Sequence, residues 1–321
     1  MREYRRSPDD LLYGFCCAGT LSIDVSGDNT LECRKASNFI RTEKTIMHVG
    51  VAMFATDYSM PPAALAVALE ERGFDSYWFP EHSHIPLSRD SEFPKGGDLP
   101  KKYYDVMDPF VVASAAAAVT RKLKIATGIC LVPQRDTIQT AKAVASIDQV
   151  SNGRFLFGVG SGWNADEMEN HGTVFKTRNK KMREQIAAMR SIWTEGKPEY
   201  HGAFVEFGPM MTWPKPVQKP HPPVIVGGGM PWAAQRALDY GDGWLPHAHR
   251  PTYKLLDRLP EFRELEKEAG RTVPISVFGV EHDADEWQAY EDAGIERIVL
   301  SIESEQADAV LPKLDAWAKR L

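Results

Sequence analysis

The sequence predicts a (β/α)8 barrel, and three observations lead there. From Met47 onward, short β-branched or aromatic runs alternate with helix-length runs, and eight such pairs follow one another. Strands separated by helices imply a parallel sheet. Eight pairs over residues 47–321 suit a barrel, which typically takes about 250 residues. A doubly wound nucleotide-binding sheet would place a glycine-rich turn directly after the first strand and an acid at the end of the second. Here the first strand is followed by Ala55-Thr56-Asp57-Tyr58-Ser59-Met60, without glycine.

The elements follow in order. A strand over 48–54 precedes a helix that begins near Pro61-Pro62, where proline suits a first turn, and ends at Gly73. The second strand is Ser76 to Phe79. After a long polar loop, Asp108 caps a helix that opens with Pro109 and runs to Thr120. The third strand spans Lys124 to Ile129 and its helix 137–150. The fourth strand spans Arg154 to Val159, and its helix covers 178–195, with Ile186, Met189, Ile192 and Trp193 on one face. Residues 196–222 read as an insertion with an extended piece at 203–207 and five prolines from 209 onward. The later pairs are 223–226 with 231–240, 243–245 with 252–269, 274–279 with 284–293, and 296–301 with 304–320.

Composition bounds the function. The chain has 321 residues, 43% hydrophobic and 26% charged, which is ordinary globular usage and excludes a disordered, collagen-like or coiled-coil chain. The longest apolar stretch, Phe110 to Val119, is far short of the ~20 residues a spanning helix needs, so no membrane partner is expected. The net charge is −6. The basic clusters Arg5-Arg6 and Arg178-Asn179-Lys180-Lys181 do not make the basic stripe of a nucleic-acid binder, and the second suits a solvated helix face. Cys16, Cys17, Cys33 and Cys130 show neither zinc spacing nor a disulfide framework, so a reducing, cytoplasmic setting is expected. Residues 1–46 are poor in helical periodicity. Leu11 to Ile23 has arginines in front like a signal peptide, but Asp9 and Asp10 interrupt and no small-x-small cleavage site follows. The expectation is an N-terminal extension over 1–46, disordered or peripheral, and one barrel domain over 47–321.

Function in a barrel sits at the carboxyl ends of its strands. The second strand ends in Glu81-His82-Ser83-His84. A histidine there, oriented by a neighbouring acid, is a candidate general acid/base. The third strand ends in Gly128-Ile129, and a strand glycine marks a bulge or a close backbone approach. The fourth runs into Gly158-Val159-Gly160-Ser161-Gly162-Trp163, a bare backbone against which a flat or anionic group could lie. The fifth ends in Gly227-Gly228-Gly229-Met230 before a helix, whose free amides suit an anion. Trp78, Trp163, Trp232 and Trp244 are candidates to line an apolar pocket. No Gly-x-Ser-x-Gly elbow and no Walker-type loop is present.

From Met47 onward the chain resembles the luciferase-like monooxygenase superfamily, and within it the oxidoreductases that use coenzyme F420. The resemblance rests on Trp78 to His82, Ala145 to Asp148 with Ser151 to Arg154, Gly158 to Trp163, Arg178 to Trp193, Pro214 to Pro223, Val226 to Gly229 and Gly241 to Pro246. It implies a deazaflavin ring at the carboxyl mouth, backed by a non-proline cis peptide at the positions of Gly128 and Ile129. It places phosphate-side contacts on Gly160, Ser161, Gly162, Gly228, Gly229 and Met230. It gives His82 contact with the ring and the role of proton donor, with Glu81 orienting it. It implies hydride transfer to or from a small organic substrate, and a homodimer. Members with a catalytic acid after the glycine-rich run have no counterpart here, since Trp163 stands there; Asp166 and Glu167 are merely nearby. FMN with dioxygen and a partner reductase is the alternative cofactor reading. A metal-dependent hydrolase using His82, His84, His247 and His249 is the alternative of another class.

Overall fold

The chain is described by a computed structural model covering residues 47–321; the expected extension over 1–46 lies outside the described residues. Eight parallel strands, β1 (His48–Ala52), β2 (Ser76–Phe79), β3 (Lys124–Thr127), β4 (Phe155–Gly160), β5 (Val224–Gly227), β6 (Gly243–Leu245), β7 (Ser276–Val280) and β8 (Arg297–Ser301), follow one another around the sheet in sequence order, and β8 returns to β1. The seam between β6 and β7 is held by parallel bridges Trp244–Ile275 and His247–Phe278 and by the Phe278 amide donating to the Pro246 carbonyl at 2.8 Å. The (β/α)8 barrel expected from the alternation is therefore the observed fold. Among the described residues no helix is long and apolar enough to cross a membrane.

Eight helices cover the outside: α1 (Pro62–Glu71), α2 (Pro109–Val119), α3 (Thr137–Ser151), α4 (Arg178–Thr194), α5 (Trp232–Tyr240), α6 (Leu255–Ala269), α7 (Ala284–Asp292) and α8 (Ala307–Ala318). Their ends have local causes. Asp108 accepts from the Phe110 and Val111 amides, and Asp136 from the Gln139 amide, so α2 and α3 start where an acceptor satisfies free donors. Asn152 (φ 56°) and Gly270 (φ 64°) close α3 and α6 in the left-handed region. The sixth helix begins at Leu255 rather than 252, because Tyr253–Lys254 pairs antiparallel with His249–Arg250. The insertion forms a small hairpin, Tyr200–His201 with Glu206–Phe207.

The core has two layers. One lies between strands and helices. The other fills the barrel: Ala52, Trp78, Ala126, Leu156, Ile225, Leu245 and Val299, with Ile129 and Phe278 packed on it. Trp78 is fully buried and donates its Nε1–H to Ser76 Oγ at 2.8 Å. Burying 150–250 Å² of indole contributes about 4–6 kcal/mol at roughly 25 cal/mol per Å². It fits because β1 carries Gly50, where a Cβ would stand 2.4 Å from Ser76 Oγ. The amino-terminal end is tied by buried Arg297, which donates to Asp75 at 2.7 Å and Ser276 Oγ at 3.0 Å. Burial raises the Asp75 carboxyl, but Arg297 and Lys124 outweigh it and hold it below the usual range.

The third strand departs from the expected Lys124–Ile129. It ends at Thr127, passes through a cis Gly128–Ile129 peptide, and resumes as Cys130–Leu131 beside β4. This detour accounts for the glycines of β4 and β5. A Cβ on Gly158 would stand 1.9 Å from the Thr127 carbonyl oxygen, one on Gly160 2.5 Å from Ile129 Cδ1, and one on Gly227 2.6 Å from Ile129 Cγ2. Gly158→Ala should therefore lose at least the ~1–3 kcal/mol typical of overpacking, read as a fall in melting temperature of several degrees. Gly196→Ala, with nothing within 4 Å, should leave it unchanged. Equal melting temperatures would contradict the packing account.

Candidate active site at the carboxyl mouth

Ile129 forms the floor of the mouth. Its side chain lies over the bare backbones of Gly160 and Gly227, and Trp78 and Phe278 pack against Gly128 beneath it. The glycine-rich run after β4 is thus partly explained by the fold: Gly158 and Gly160 are open because β3 leans on them. Gly162 (φ 76°) and Gly228 (φ 121°) are glycines for a different reason, since L side chains rarely adopt those backbones. Gly162 turns the chain toward the short helix Ala165–Asn170, an element the sequence reading does not contain.

That helix carries the partner of His82. Asn164 caps it by accepting from the Glu167 amide at 3.1 Å, which fixes Glu167 one turn in. The Glu167 side chain is fully buried. It accepts from His82 Nδ1–H at 2.8 Å and from the Ser83 amide at 2.9 Å. Burial pushes the Glu167 carboxyl up, but the His82 hydrogen bond and charge and the Ser83 amide outweigh it, and the net value lies below the ordinary one. An ionised carboxylate only accepts, so the shared proton belongs to Nδ1 and the lone pair of the neutral ring belongs to Nε2.

The expectation that Glu81 orients His82 is corrected. Glu81 accepts from the Leu131 amide at 2.6 Å and from Arg135 Nε at 2.5 Å, and Arg135 continues to Asp108 at 2.6 Å. Adjacent side chains of an extended segment point to opposite sides, so Glu81 braces the resumed third strand while His82 faces the other way. Asp166 is no acid/base partner either. It accepts from Ser88 Oγ, the Asp90 amide and Ser91 Oγ at 2.9, 3.1 and 3.1 Å, pinning the polar loop after β2.

That loop completes an aromatic wall. Tyr103 and Trp163 lie 5.5 and 5.7 Å from the His82 ring, and Phe93 packs edge-on against both at 5.2 and 6.0 Å. Burial first, and Glu303 next, push the Tyr103 hydroxyl up, which keeps it neutral. Of the four tryptophans expected at a pocket, only Trp163 is there. Trp78 is inside the barrel. Trp244 faces outward, stacks on Phe262 at 4.4 Å and donates to the Gly228 carbonyl at 2.9 Å. Trp232 is 74% exposed.

The glycine-rich turn after β5 enters α5 without a side-chain cap, but the expectation of free amides there is corrected, since most of them already have acceptors. The Gly228 amide donates to the Leu245 carbonyl at 3.1 Å, and the Met230 amide to Tyr253 Oη at 2.8 Å. A Cβ on Gly229 would stand 2.4 Å from Tyr253 Oη and 2.8 Å from Arg250 Nη1. Ser161 is half-buried on the β4 side. A flat apolar floor, glycines at both neighbouring rims and an arginine over one of them fit a flavin-type ring with an anionic tail.

Three of the four histidines of the metal alternative have other partners. His82 bonds Glu167, His84 bonds Ser83 Oγ and Asn170 Nδ2 at 2.9 Å each, and His249 pairs with Glu286 at 2.9 Å. Among the described residues no group of three or more His, Cys, Asp or Glu is arranged to hold a metal ion.

The luciferase-like monooxygenase family matches residues 61–316. An uncharacterised protein of Mycobacterium tuberculosis is 42% identical over 207 residues, 62% of this chain and 72% of that relative. The FMNH2-dependent dimethylsulfone monooxygenase of Pseudomonas putida is 29% identical over 180 residues, 54% of this chain and 49% of that relative. Among solved structures, an F420-dependent secondary alcohol dehydrogenase with an F420–acetone adduct superposes with a TM-score of 0.66 at 20% identity, over 86% of this chain and 98% of that one.

Glu167→Gln should destabilise the fold by roughly 1.5–3 kcal/mol at pH 7, as expected when a buried hydrogen bond to a charged group is lost. Because the folded value of Glu167 is depressed, that stabilisation is present above the ordinary glutamate value of 4.5 and is lost as pH falls through the lower folded value. Urea unfolding at a series of pH values should show the wild-type advantage narrowing on the acid side. A constant gap would remove Glu167 from the linkage.

Proposed function

We propose that this chain, which belongs to the luciferase-like monooxygenase family, is an oxidoreductase that transfers a hydride between coenzyme F420 and a small organic substrate. The observation that carries the reading is His82, held through Nδ1 by buried Glu167 beside an apolar floor. The spelling of Gly158 to Trp163 and of Gly227 to Gly229 favours the deazaflavin. When bound, that group supplies the two-electron chemistry, and the protein supplies binding, orientation and electrostatics.

Ile129 would support the ring from below. Gly160, Ser161 and Gly162 on one rim, and Gly229 on the next, would meet its phosphate side, because the Gly228 and Met230 amides already donate to Leu245 and Tyr253. In the reducing direction, protonated His82 gives its Nε2 proton to the substrate oxygen, and Glu167 stabilises the imidazolium before transfer. In the oxidising direction the neutral Nε2 takes a hydroxyl proton. Trp163, Tyr103 and Phe93 exclude water from this exchange. A histidine placed this way contributes typically 10²–10⁴-fold.

The FMN alternative draws support from the 29% identical dimethylsulfone monooxygenase. A parallel titration of the purified chain against coenzyme F420 and FMN, followed by tryptophan fluorescence, decides between them. Micromolar or tighter binding of F420 with weaker FMN is the expected result. Preference for FMN would move the chain to dioxygen chemistry with a reductase, and binding of neither would contradict both. His82→Ala should keep cofactor affinity within a few-fold while turnover falls by at least ~10².

A further inference from the structure

Ser83 links buried Glu167 to the protein surface. Its hydroxyl has three partners among the described residues: His171 Nε2 at 2.7 Å, His84 Nδ1 at 2.9 Å and Glu167 Oε1 at 3.4 Å. The His84 and His171 rings are 5.5 Å apart, and Ser83 and His171 are exposed. Both line a cavity of about 470 Å³ at the capped ends of α2 and α3, together with Glu81, Asp108, Arg135 and Asp136. Arg135 pairs with Glu81 and Asp108, and Asp136 caps α3. Lys181 of α4 is held two residues past His171, at Thr173 Oγ1, 2.5 Å away.

A serine hydroxyl has one proton to give and two lone pairs to receive, so the direction of each bond is constrained. Asn170 Nδ2, which only donates, stands 2.9 Å from His84 Nε2. His84 Nε2 is therefore an acceptor, and its Nδ1–H donates to Ser83 Oγ. The Ser83 proton then has two destinations. Neutral His171 Nε2 takes it at 2.7 Å, since the 3.4 Å to Glu167 exceeds the ~2.5–3.0 Å of a formed O–H···O bond. Histidine gains charge between about pH 8 and about pH 5. Once His171 Nε2 carries a proton it can only donate. Both Ser83 lone pairs are then used, and the hydroxyl proton is left for Glu167 Oε1.

We propose that Ser83 and His171 are positioning residues for the His82–Glu167 pair: neutral His171 draws the Ser83 proton away from Glu167, and protonated His171 turns it onto Oε1. Glu167 already accepts from His82 Nδ1–H and from the Ser83 amide. A further donor to the carboxylate weakens its pull on Nδ1–H, so charged His82 gives up its Nε2 proton more readily. Acidity at the surface thereby reaches the acid/base residue through one hydroxyl. Its bearing on catalysis rests on the oxidoreductase reading, whereas the exchange of the hydroxyl proton does not.

NMR of the full chain labelled with 15N-histidine, followed from about pH 8 to about pH 5 without cofactor, reads the exchange directly. The expected result is that the His82 Nδ1–H resonance moves upfield in step with the His171 ring signals, as its bond to Glu167 weakens. Ser83→Ala, in which His171 still titrates, should abolish that shift. Ser83→Thr, which keeps a hydroxyl, should restore it. His171→Gln, at an exposed position, should abolish it as a second variant. A His82 resonance indifferent to the titration of His171 in the wild type would overturn the proposal. So would an undiminished shift in Ser83→Ala with both chains melting alike, because bare charge would then act without the hydroxyl. With no cofactor present, the result is independent of the oxidoreductase reading, which the F420 and FMN titration decides.

Discussion

A carboxylate with no solvent exposure needs donors around it, and the mouth of this barrel is arranged to supply them to Glu167. His82 Nδ1 and the Ser83 amide both point at it. The chain after β2 is thereby fastened to the chain after β4, two segments that share no strand. The same bond fixes which nitrogen of His82 is free. Asn164 holds the Glu167 turn, and Asp166, next to it, pins the loop that carries Phe93, which packs on Tyr103 and Trp163. One six-residue helix therefore sets the acid/base residue and the aromatic wall.

The second constraint is steric. The third strand turns inward before it is finished, and the barrel accommodates it by omitting side chains on β4 and β5. Ile129 then closes the top of the interior layer that Trp78 fills from within. Close packing of this kind leaves Ile129 little room to move. A rigid apolar floor beside a tethered imidazole is an arrangement that can hold a flat ring and a substrate in a fixed relation.

The barrel was legible because strand and helix differ in period over eight repeats, and because no glycine-rich turn follows the first strand as a doubly wound sheet would need. Strand 2 runs over the residues expected, and Asp108 caps its helix as expected. The mouth was less legible. Glu81 is adjacent to His82 in sequence and turned away from it in space, whereas Glu167 is 85 residues distant and in contact. No periodicity marks a six-residue polar helix, though Asn164 three residues before Glu167 is a capping spacing that could have flagged it. The loop over 83–107 shows no periodicity because much of its order comes from Asp166 and Trp163 outside it rather than from its own sequence. Glycines suggested a ligand cradle, and at Gly158 and Gly160 their cause is the neighbouring strand.

The central claim is that Glu167 holds His82 with Nδ1 protonated and Nε2 free for the mouth. The most direct measurement is the nitrogen NMR spectrum of the chain labelled with 15N-histidine, recorded above neutral pH and assigned with His82→Gln. The account predicts that His82 is locked in the Nδ1–H tautomer, with a downfield, slowly exchanging ring proton that Glu167→Gln abolishes. An Nε2–H tautomer, or a rapidly averaging ring that does not respond to Glu167→Gln, would contradict it.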